Sequence, residues 1–178
     1  TRTTSSAASD VYKRQALLYS YMTVLNPGDE AILLSPSWAS YEPMISIIGG
    51  VPVNVPVDRK NFHPDMDAIR SSITNRTRMI MVNSPCNPTG AVYTREEIEE
   101  IVSIAIEHDL WIISDEIYSR LIWNGGEHVS PATIEGGKER TIVISGWSKT
   151  WAMTGMRVGF LAGPCLLYTS PSPRDRSS

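Results

Sequence analysis

The stretch TIVISGWSKTWAMTGMR, residues 141–157, joins an apolar strand to a turn of small residues that carries one lysine. Its first four residues are β-branched, which is typical of a buried strand. Lys149 lies just beyond that strand, after Ser145 and Ser148 and before Arg157. A lysine in such a position can present its amine as a nucleophile. The two hydroxyls and the guanidinium are donors that suit a phosphate group.

Three other predicted strands also lead into polar or aromatic residues. Trp38 follows the strand AILLS, Asn87 follows RMIMVN, and Asp115 follows LWIIS, with Tyr118 three residues further on. In an open α/β sheet, ligands bind at the edge formed by the carboxyl ends of the strands. A lysine amine, a phosphate-binding group and these polar loops match the needs of pyridoxal 5′-phosphate (PLP). The sequence therefore predicts a PLP site at this edge.

Each of these residues has a chemical role around a planar pyridine ring. We expect Asp115 to pair with the protonated ring nitrogen, which keeps the ring cationic and able to accept electrons. Asn87 and Tyr118 would donate hydrogen bonds to the phenolic oxygen. Trp38 would stack on one face of the ring, and Ile117 is a candidate for the other face. Each of these residues also has an ordinary structural use.

Those ordinary uses are common in proteins. An aspartate after a strand often caps a following helix, so Asp115 is equally well explained as an N-cap. Asn87 lies in the turn sequence NPTG, where asparagine is favoured by backbone geometry alone. Trp38 and Tyr118 could be core aromatic residues, and Arg157 could lie on a solvated surface. Only the coincidence of four such loops favours the cofactor site.

The fold class that the pattern predicts is α/β, a doubly wound and mostly parallel sheet. Strand patterns alternate with helix patterns, and the strands are apolar throughout, as in parallel sheets covered on both faces. The link after Lys149 is too short for a helical crossover, so the last strand is expected to run antiparallel. The predicted strands are residues 30–35, 51–57, 78–83, 110–114, 141–144 and 157–162. The predicted helices are residues 16–25 (the end of a helix), 38–48, 63–73 and 94–108, the last starting with a capping box.

The two ends differ in pattern from the segment between them. Residues 1–15 and 165–178 are polar or rich in Ser, Pro and Arg, and they resemble translated sequencing-adapter read-through. We expect both to be non-native disordered tails, although genuine disordered tails have similar composition. The remaining segment, residues 16–164, is expected to be a partial domain, which makes the chain a fragment.

The composition of the chain indicates which classes of partner are unsuitable and which cellular compartment is expected. The 178 residues carry a formal net charge of −3. Residues 1–15 and 165–178 together carry +3, so residues 16–164 carry about −6. An acidic segment without a basic patch argues against nucleic acid as a partner. Neither a signal peptide nor a transmembrane run is evident, and two cysteines fit a reducing cytosol, so a cytoplasmic protein is expected. The three histidines lack metal-ligand spacing, so no metal site is expected.

Six motifs in order resemble the class I/II (fold-type I) PLP-dependent aminotransferases, and most of all the aspartate/aromatic branch. They are NPGDE, SPSWASYEP, NSPCNPTG, SDEIY, SGWSKTWAMTGMR and VGFLAGP. The resemblance implies that Lys149 is the Schiff-base lysine and the proton shuttle, and that Asp115 pairs with the pyridine nitrogen. It implies further that the rest of the site consists of Asn87 and Tyr118 at the phenolic oxygen, Trp38 on the ring, Ser145 and Arg157 at the phosphate, and Ser148 beside the lysine. It also implies amino acid and 2-oxo acid substrates and a homodimer.

The sequence also departs from that family. DVYKRQ stands where the family has a Gly/Ser-rich turn that caps the phosphate with backbone amides. The family's small C-terminal domain, with its arginine for the substrate carboxylate, has no counterpart in these residues.

Three functional hypotheses remain at this point. The first is a fragment of an aminotransferase that moves an amino group from an amino acid to a 2-oxo acid through Lys149. The second is a C–S β-lyase or related carbanion enzyme on the same fold, because the cofactor residues are shared. The third is that the chain as written is an inactive fragment. The preferred amino donor is not encoded in the residues that carry the resemblance.

Overall fold

The computed structural model describes residues 4–123 and 125–164, and the side chains among them from residue 13 onward. Its helices and strands alternate along most of the chain. In order they are α1 (Thr4–Val24), β1 (Glu30–Ser35), α2 (Tyr41–Ile47), β2 (Val51–Pro56), α3 (Met66–Ser72), β3 (Thr77–Asn83), α4 (Arg95–Glu107), β4 (Trp111–Asp115), β5 (Thr141–Gly146), α5 (Trp147–Thr150) and β6 (Gly159–Ala162). Short 3₁₀ turns cover Pro131–Thr133 and Thr154–Met156.

One sheet of six strands, in the order β2-β1-β3-β4-β5-β6, forms the centre of the described chain. The first five strands are parallel. The sixth is antiparallel to β5, pairing Val143 with Ala162 and Gly146 with Gly159. The prediction of a doubly wound α/β sheet is confirmed, and so is the antiparallel last strand. The sheet places the carboxyl ends of β1, β3, β4 and β5 next to one another.

Helices cover the two faces of the sheet, which explains why its strands are apolar throughout. Successive strand residues point to opposite faces, so β1 sends Ile32 to one core and Leu33 to the other. Ile69 of α3 and Ile101 of α4 pack with Ile32. On the opposite face α1 and α2 pack with Leu33, through Leu17, Tyr21, Tyr41 and Ile45.

The start of α4 shows the predicted capping box. Thr94 Oγ1 accepts a hydrogen bond from the Glu97 amide at 3.3 Å, and Glu97 Oε2 accepts one from the Thr94 amide at 2.7 Å. Both bonds satisfy amides that a helix start leaves without intrahelical partners. The helix then buries one apolar face, as its periodicity predicts.

The prediction of a disordered tail over residues 1–15 is wrong from Thr4 onward, because α1 extends back to that residue. Among the described side chains of this segment, Lys13 is buried, with 8% of the residue exposed, and forms an ion pair with Asp115 in the sheet. The predicted tail over residues 165–178 lies outside the described residues.

Several element boundaries also differ from prediction, and two of these differences have a clear local cause. The helix predicted from His63 begins at Met66, because Asp65 caps it by accepting a hydrogen bond from the Ala68 amide at 3.0 Å. The last strand begins at Gly159 and not at Arg157, whose backbone is left-handed, with φ of 60°. A left-handed residue cannot continue a strand. None of the described helices has the length and apolar character needed to cross a membrane.

Candidate active site

The predicted site residues lie beyond the carboxyl ends of neighbouring strands. Asp115 is the last residue of β4 and pairs with Asn83 of β3 on one side and with Ile144 of β5 on the other. Trp38 lies three residues after β1, and Lys149 lies in α5, directly after β5. The parallel sheet therefore brings these chemically distinct groups to one edge.

The Asp115 carboxylate is the centre of the site and is completely buried. Its Oδ2 accepts a hydrogen bond from Tyr41 Oη at 2.5 Å and lies 2.5 Å from Lys13 Nζ. Its Oδ1 accepts a hydrogen bond from the Ile117 amide at 3.3 Å. A buried carboxylate needs such partners, because an unpaired charge in the interior is costly. The site thus holds a negative charge whose orientation is fixed from three sides.

The cation paired with Asp115 also contacts an aromatic ring. Lys13 Nζ lies 4.4 Å from the centroid of the Trp38 ring, which is the geometry of a cation–π interaction. Trp38 in turn packs edge-on against Tyr41, with ring centroids 5.3 Å apart and planes at 86°. The Asp115 carboxylate and the Trp38 indole therefore both contact the Lys13 ammonium.

Tyr41 acts as a hydrogen-bond donor within this group. Burial raises the pKa of Tyr41 well above its usual value, and the negative charge of Asp115 raises it further. The phenol therefore stays protonated at neutral pH and donates to the carboxylate. This side chain was not assigned a role from the sequence. The available signal was its position three residues after Trp38, at the start of α2.

Lys149 lines a narrow cavity that Lys13, the ion-pair partner of Asp115, also lines. The other lining residues are Lys13, Ile117, Gly146, Ser148, Val158 and Gly159. The cavity volume is about 10 Å³, close to that of a single water probe. Thr150 Oγ1, in the same helix as Lys149, donates a hydrogen bond to the Ile117 carbonyl at 3.1 Å and connects α5 to the loop after β4. Two lysines and one hydroxyl therefore converge on the same small space.

Asn87 and Tyr118 lie together in a neighbouring open cleft of about 410 Å³. Asn83, for which the sequence predicted no role, is hydrogen-bonded to the backbone of Asn87 in that cleft. Its amide nitrogen donates to the Asp115 carbonyl at 3.0 Å, and its amide oxygen accepts from the Asn87 backbone at 2.8 Å. This one side chain therefore links the loop of Asn87 to the end of β4.

Glu116 secures the loop after β4 from the opposite side of the site. Ser114 and Ser130 donate hydrogen bonds to its Oε1 at 3.0 and 2.5 Å, and His128 Nε2 lies 3.0 Å from its Oε2. Burial raises the pKa of Glu116, but these three neighbours together outweigh it and lower the pKa below its usual value. The ionised carboxylate therefore fixes the backbone that carries Asp115 and Tyr118.

The chain matches the family described as aminotransferase class I and II over residues 14–171. It is 45% identical over 152 residues to the aspartate/prephenate aminotransferase of Thermus thermophilus, a match that covers 85% of this chain and 39% of that protein. It is 43% identical over 151 residues to the aspartate aminotransferase of Pyrococcus abyssi, covering 84% of this chain and 39% of the relative. The chain belongs to the class I and II aminotransferases.

Solved aminotransferase structures share its fold. The aromatic aminotransferase from Pyrococcus horikoshii aligns with a TM-score of 0.84 and 42% identity, over 87% of this chain and 42% of that one. The aspartate aminotransferase of Thermus thermophilus with maleate aligns with a TM-score of 0.82 and 44% identity, over 87% and 40%. The aminotransferase chain thus spans about two-fifths of the length of the relatives that it matches.

Members of this family use PLP, and the chemistry of the side chains around Asp115 suits that group. A protonated pyridine ring needs a carboxylate at its nitrogen and an aromatic surface along its face. Asp115 and Trp38 already hold a cation between them in this way. Lys149, which would supply the amine, lines the cavity next to that cation.

The three residues predicted to bind the phosphate are distributed differently. Ser148 lines the cavity of Lys149. Ser145 donates from Oγ to the Glu116 carbonyl at 3.2 Å and lines another cavity, with Trp147 and Trp151. Arg157 lies at the left-handed turn that precedes β6. Of these three, the structure places Ser148 beside Lys149.

Proposed function

We propose that this chain is the cofactor-binding part of a PLP-dependent enzyme that transfers an amino group from an amino acid to a 2-oxo acid. The observation that carries the proposal is the buried Asp115 carboxylate, which holds a cation against Trp38 beside Lys149. Family membership supports the same reaction class.

When bound, PLP supplies an electron sink that stabilises a carbanion at the substrate Cα. Asp115 would face the ring nitrogen, and its negative charge favours the protonated form of that nitrogen. Tyr41 keeps Oδ2 directed at this position, since it donates to that oxygen at 2.5 Å. Trp38 would cover one face of the ring, and Ile117 would contact the other.

Lys149 Nζ would hold the cofactor covalently between turnovers. Once replaced by the substrate amine, the same nitrogen would accept the proton from Cα and return it to the adjacent carbon of the cofactor. Asn87 and Tyr118, which share one cleft, would donate to the phenolic oxygen. Ser148, Ser145 and Arg157 would contact the phosphate, Ser148 from the cavity of Lys149.

Amino transfer is favoured over C–S bond cleavage because the similar proteins cited above carry aminotransferase names. The complete protein is also proposed to be a cytoplasmic homodimer, because the motif resemblance implies a homodimer and two cysteines fit a reducing cytosol. Aspartate is the first amino donor to test, since two of those relatives are aspartate aminotransferases by name.

A two-step experiment tests this proposal. The 178-residue chain is mixed with saturating PLP and dialysed, and the absorbance of bound PLP is recorded with Lys149→Ala as the control. L-aspartate is then added in a single turnover, and oxaloacetate is trapped by reduction to malate as it forms. A parallel sample receives L-cystathionine and is assayed for ammonia, which C–S β-elimination releases and amino transfer does not. Retained PLP that requires Lys149, followed by oxaloacetate from L-aspartate, is the expected result. Loss of all PLP from both proteins, or ammonia from L-cystathionine without oxaloacetate from L-aspartate, would overturn it.

A further inference from the structure

We propose that Lys13 occupies the position that the cofactor's ring nitrogen requires, so that PLP binds this chain only by displacing it. The inference rests on the proposed function, because it takes Asp115 and Trp38 as the ring's binding groups. It adds a property that this function does not imply, namely a competing cation supplied by the chain itself.

The contacts of Lys13 are those that a protonated pyridine would make. Its Nζ lies 2.5 Å from Asp115 Oδ2, the carboxylate oxygen that Tyr41 orients. The same nitrogen lies 4.4 Å from the centroid of the Trp38 ring. An ammonium and a pyridinium nitrogen cannot both occupy a space bounded by one carboxylate oxygen and one indole face. Binding of either therefore excludes the other.

The cavity that Lys13 shares with Lys149 is too small to hold the ring. Lys13 is buried and lines the same cavity as Lys149, and that cavity is about 10 Å³ in volume. A pyridine ring is many times larger than the single water probe that fits such a space. The Lys13 side chain must therefore leave before a ring can stack on Trp38 within reach of Lys149.

Lys13 lies immediately before the segment that matches the family, which begins at residue 14. Its competition with the ring is therefore a proposal about helix α1 of this chain and does not follow from the family match.

The effect on affinity follows from a two-state equilibrium. If the chain binds the ring only when Lys13 is displaced, the apparent Kd equals the intrinsic Kd divided by the displaced fraction. A displaced fraction of about one-tenth or less makes the apparent Kd about tenfold or more weaker. Removing the ammonium eliminates this penalty and leaves Asp115 available to the ring.

The test uses 4-deoxypyridoxine 5′-phosphate, which keeps the ring and phosphate of PLP but has no aldehyde. Its Kd is measured by isothermal titration calorimetry with the full 178-residue chain and with Lys13→Ala. The expected result is binding at least about tenfold tighter to Lys13→Ala. Lys60→Ala removes the same charge from an exposed position and should bind as the unaltered chain does. Equal affinity of the unaltered chain and Lys13→Ala would overturn the inference.

A second measurement does not depend on the folding of a variant. The unaltered chain is acetylated briefly with and without saturating 4-deoxypyridoxine 5′-phosphate, and each lysine is quantified by mass spectrometry. Lys13 should be protected in the free chain and become reactive when the ring binds, whereas exposed Lys60 should react equally in both samples. Protection of Lys13 that persists with bound ligand would contradict displacement.

Failure of this inference is distinguishable from failure of the proposed function. Equal binding of the ring to both proteins, together with PLP retention that requires Lys149, leaves the function standing and removes the role of Lys13. No binding of the ring to either protein, with no PLP retained on Lys149, overturns the proposed function and the inference with it.

Discussion

Tyr41 and Asp115, 74 residues apart in the sequence, are joined by a 2.5 Å hydrogen bond from the phenol to the carboxylate. Both side chains are buried, Tyr41 at the start of α2 and Asp115 at the end of β4. The bond therefore connects the helical layer to the sheet at the point where the site lies. Since the same oxygen pairs with Lys13, Tyr41 fixes where a cation binds.

Tyr41→Phe tests that relationship. The change keeps the ring that packs on Trp38 but removes the donor to Asp115, so a buried acceptor loses a partner. We expect the free energy of unfolding to fall by about 1–3 kcal/mol, measured by urea denaturation. Tyr93→Phe, in the other core, leaves Asp115 untouched and serves as the comparison for PLP affinity. PLP affinity should fall in Tyr41→Phe only, and an unaltered affinity would contradict the positioning role.

The Glu116 cluster predicts a pH-dependent contribution to stability. The pKa of Glu116 is lowered on folding, so its ionised form stabilises the fold above the ordinary carboxyl pKa, and this stabilisation is lost as pH falls through the lowered value. Glu116→Gln should cost about 1–3 kcal/mol at neutral pH.

The difference in the free energy of unfolding between the unaltered chain and Glu116→Gln should shrink as pH falls below about 5. Urea denaturation at a series of pH values measures it, with exposed Glu99→Gln as the control. A difference that is the same at neutral and acidic pH would show that the Glu116 charge does not contribute.

The capping box of α4 predicts a graded pair of substitutions at residue 94. Thr94→Ala removes the side-chain acceptor for the Glu97 amide and should destabilise the chain by about 1 kcal/mol. Thr94→Ser keeps the hydroxyl and should cost much less. Thermal unfolding followed by circular dichroism measures both. Equal losses of stability in the two variants would show that the Thr94 methyl group, and not its capping hydroxyl, stabilises the chain.

Alanine substitution at two glycines is expected to have different effects on stability. A Cβ on Gly137 would lie 2.1 Å from the Pro131 carbonyl oxygen, which is backbone and cannot move aside cheaply. Gly137→Ala should therefore cost about 1–3 kcal/mol or more. A Cβ on Gly155 meets nothing within 4 Å among the described residues, so Gly155→Ala should be nearly neutral. The reverse order in urea denaturation would contradict the packing around the first 3₁₀ turn.

Most of the fold was predictable because its signals are local. The strand Glu30–Ser35 is apolar along its length because both of its faces are covered, and its predicted bounds match. The capping box at Thr94 is encoded within four residues. The short link after Lys149 was enough to predict an antiparallel last strand, since a parallel return needs a longer crossover.

What the sequence did not reveal depends on contacts between distant residues. Lys13 has no periodic pattern that marks it as buried, and its burial is explained by Asp115, which lies in a different part of the sequence. Asn83 belongs to an apolar strand, and its role follows from the adjacency of β3 and β4. The left-handed backbone of Arg157 is set by the turn before β6, and residues other than glycine rarely indicate that conformation in advance.

The most direct test of the account is to identify the lysine that PLP modifies. The 178-residue chain and Lys13→Ala are each incubated with PLP, reduced with borohydride, digested and mapped by mass spectrometry. The account predicts a label on Lys149 in both proteins, with a larger fraction labelled in Lys13→Ala at limiting PLP. A label spread over exposed lysines such as Lys60 and Lys138, with Lys149 unmodified in both proteins, would contradict it.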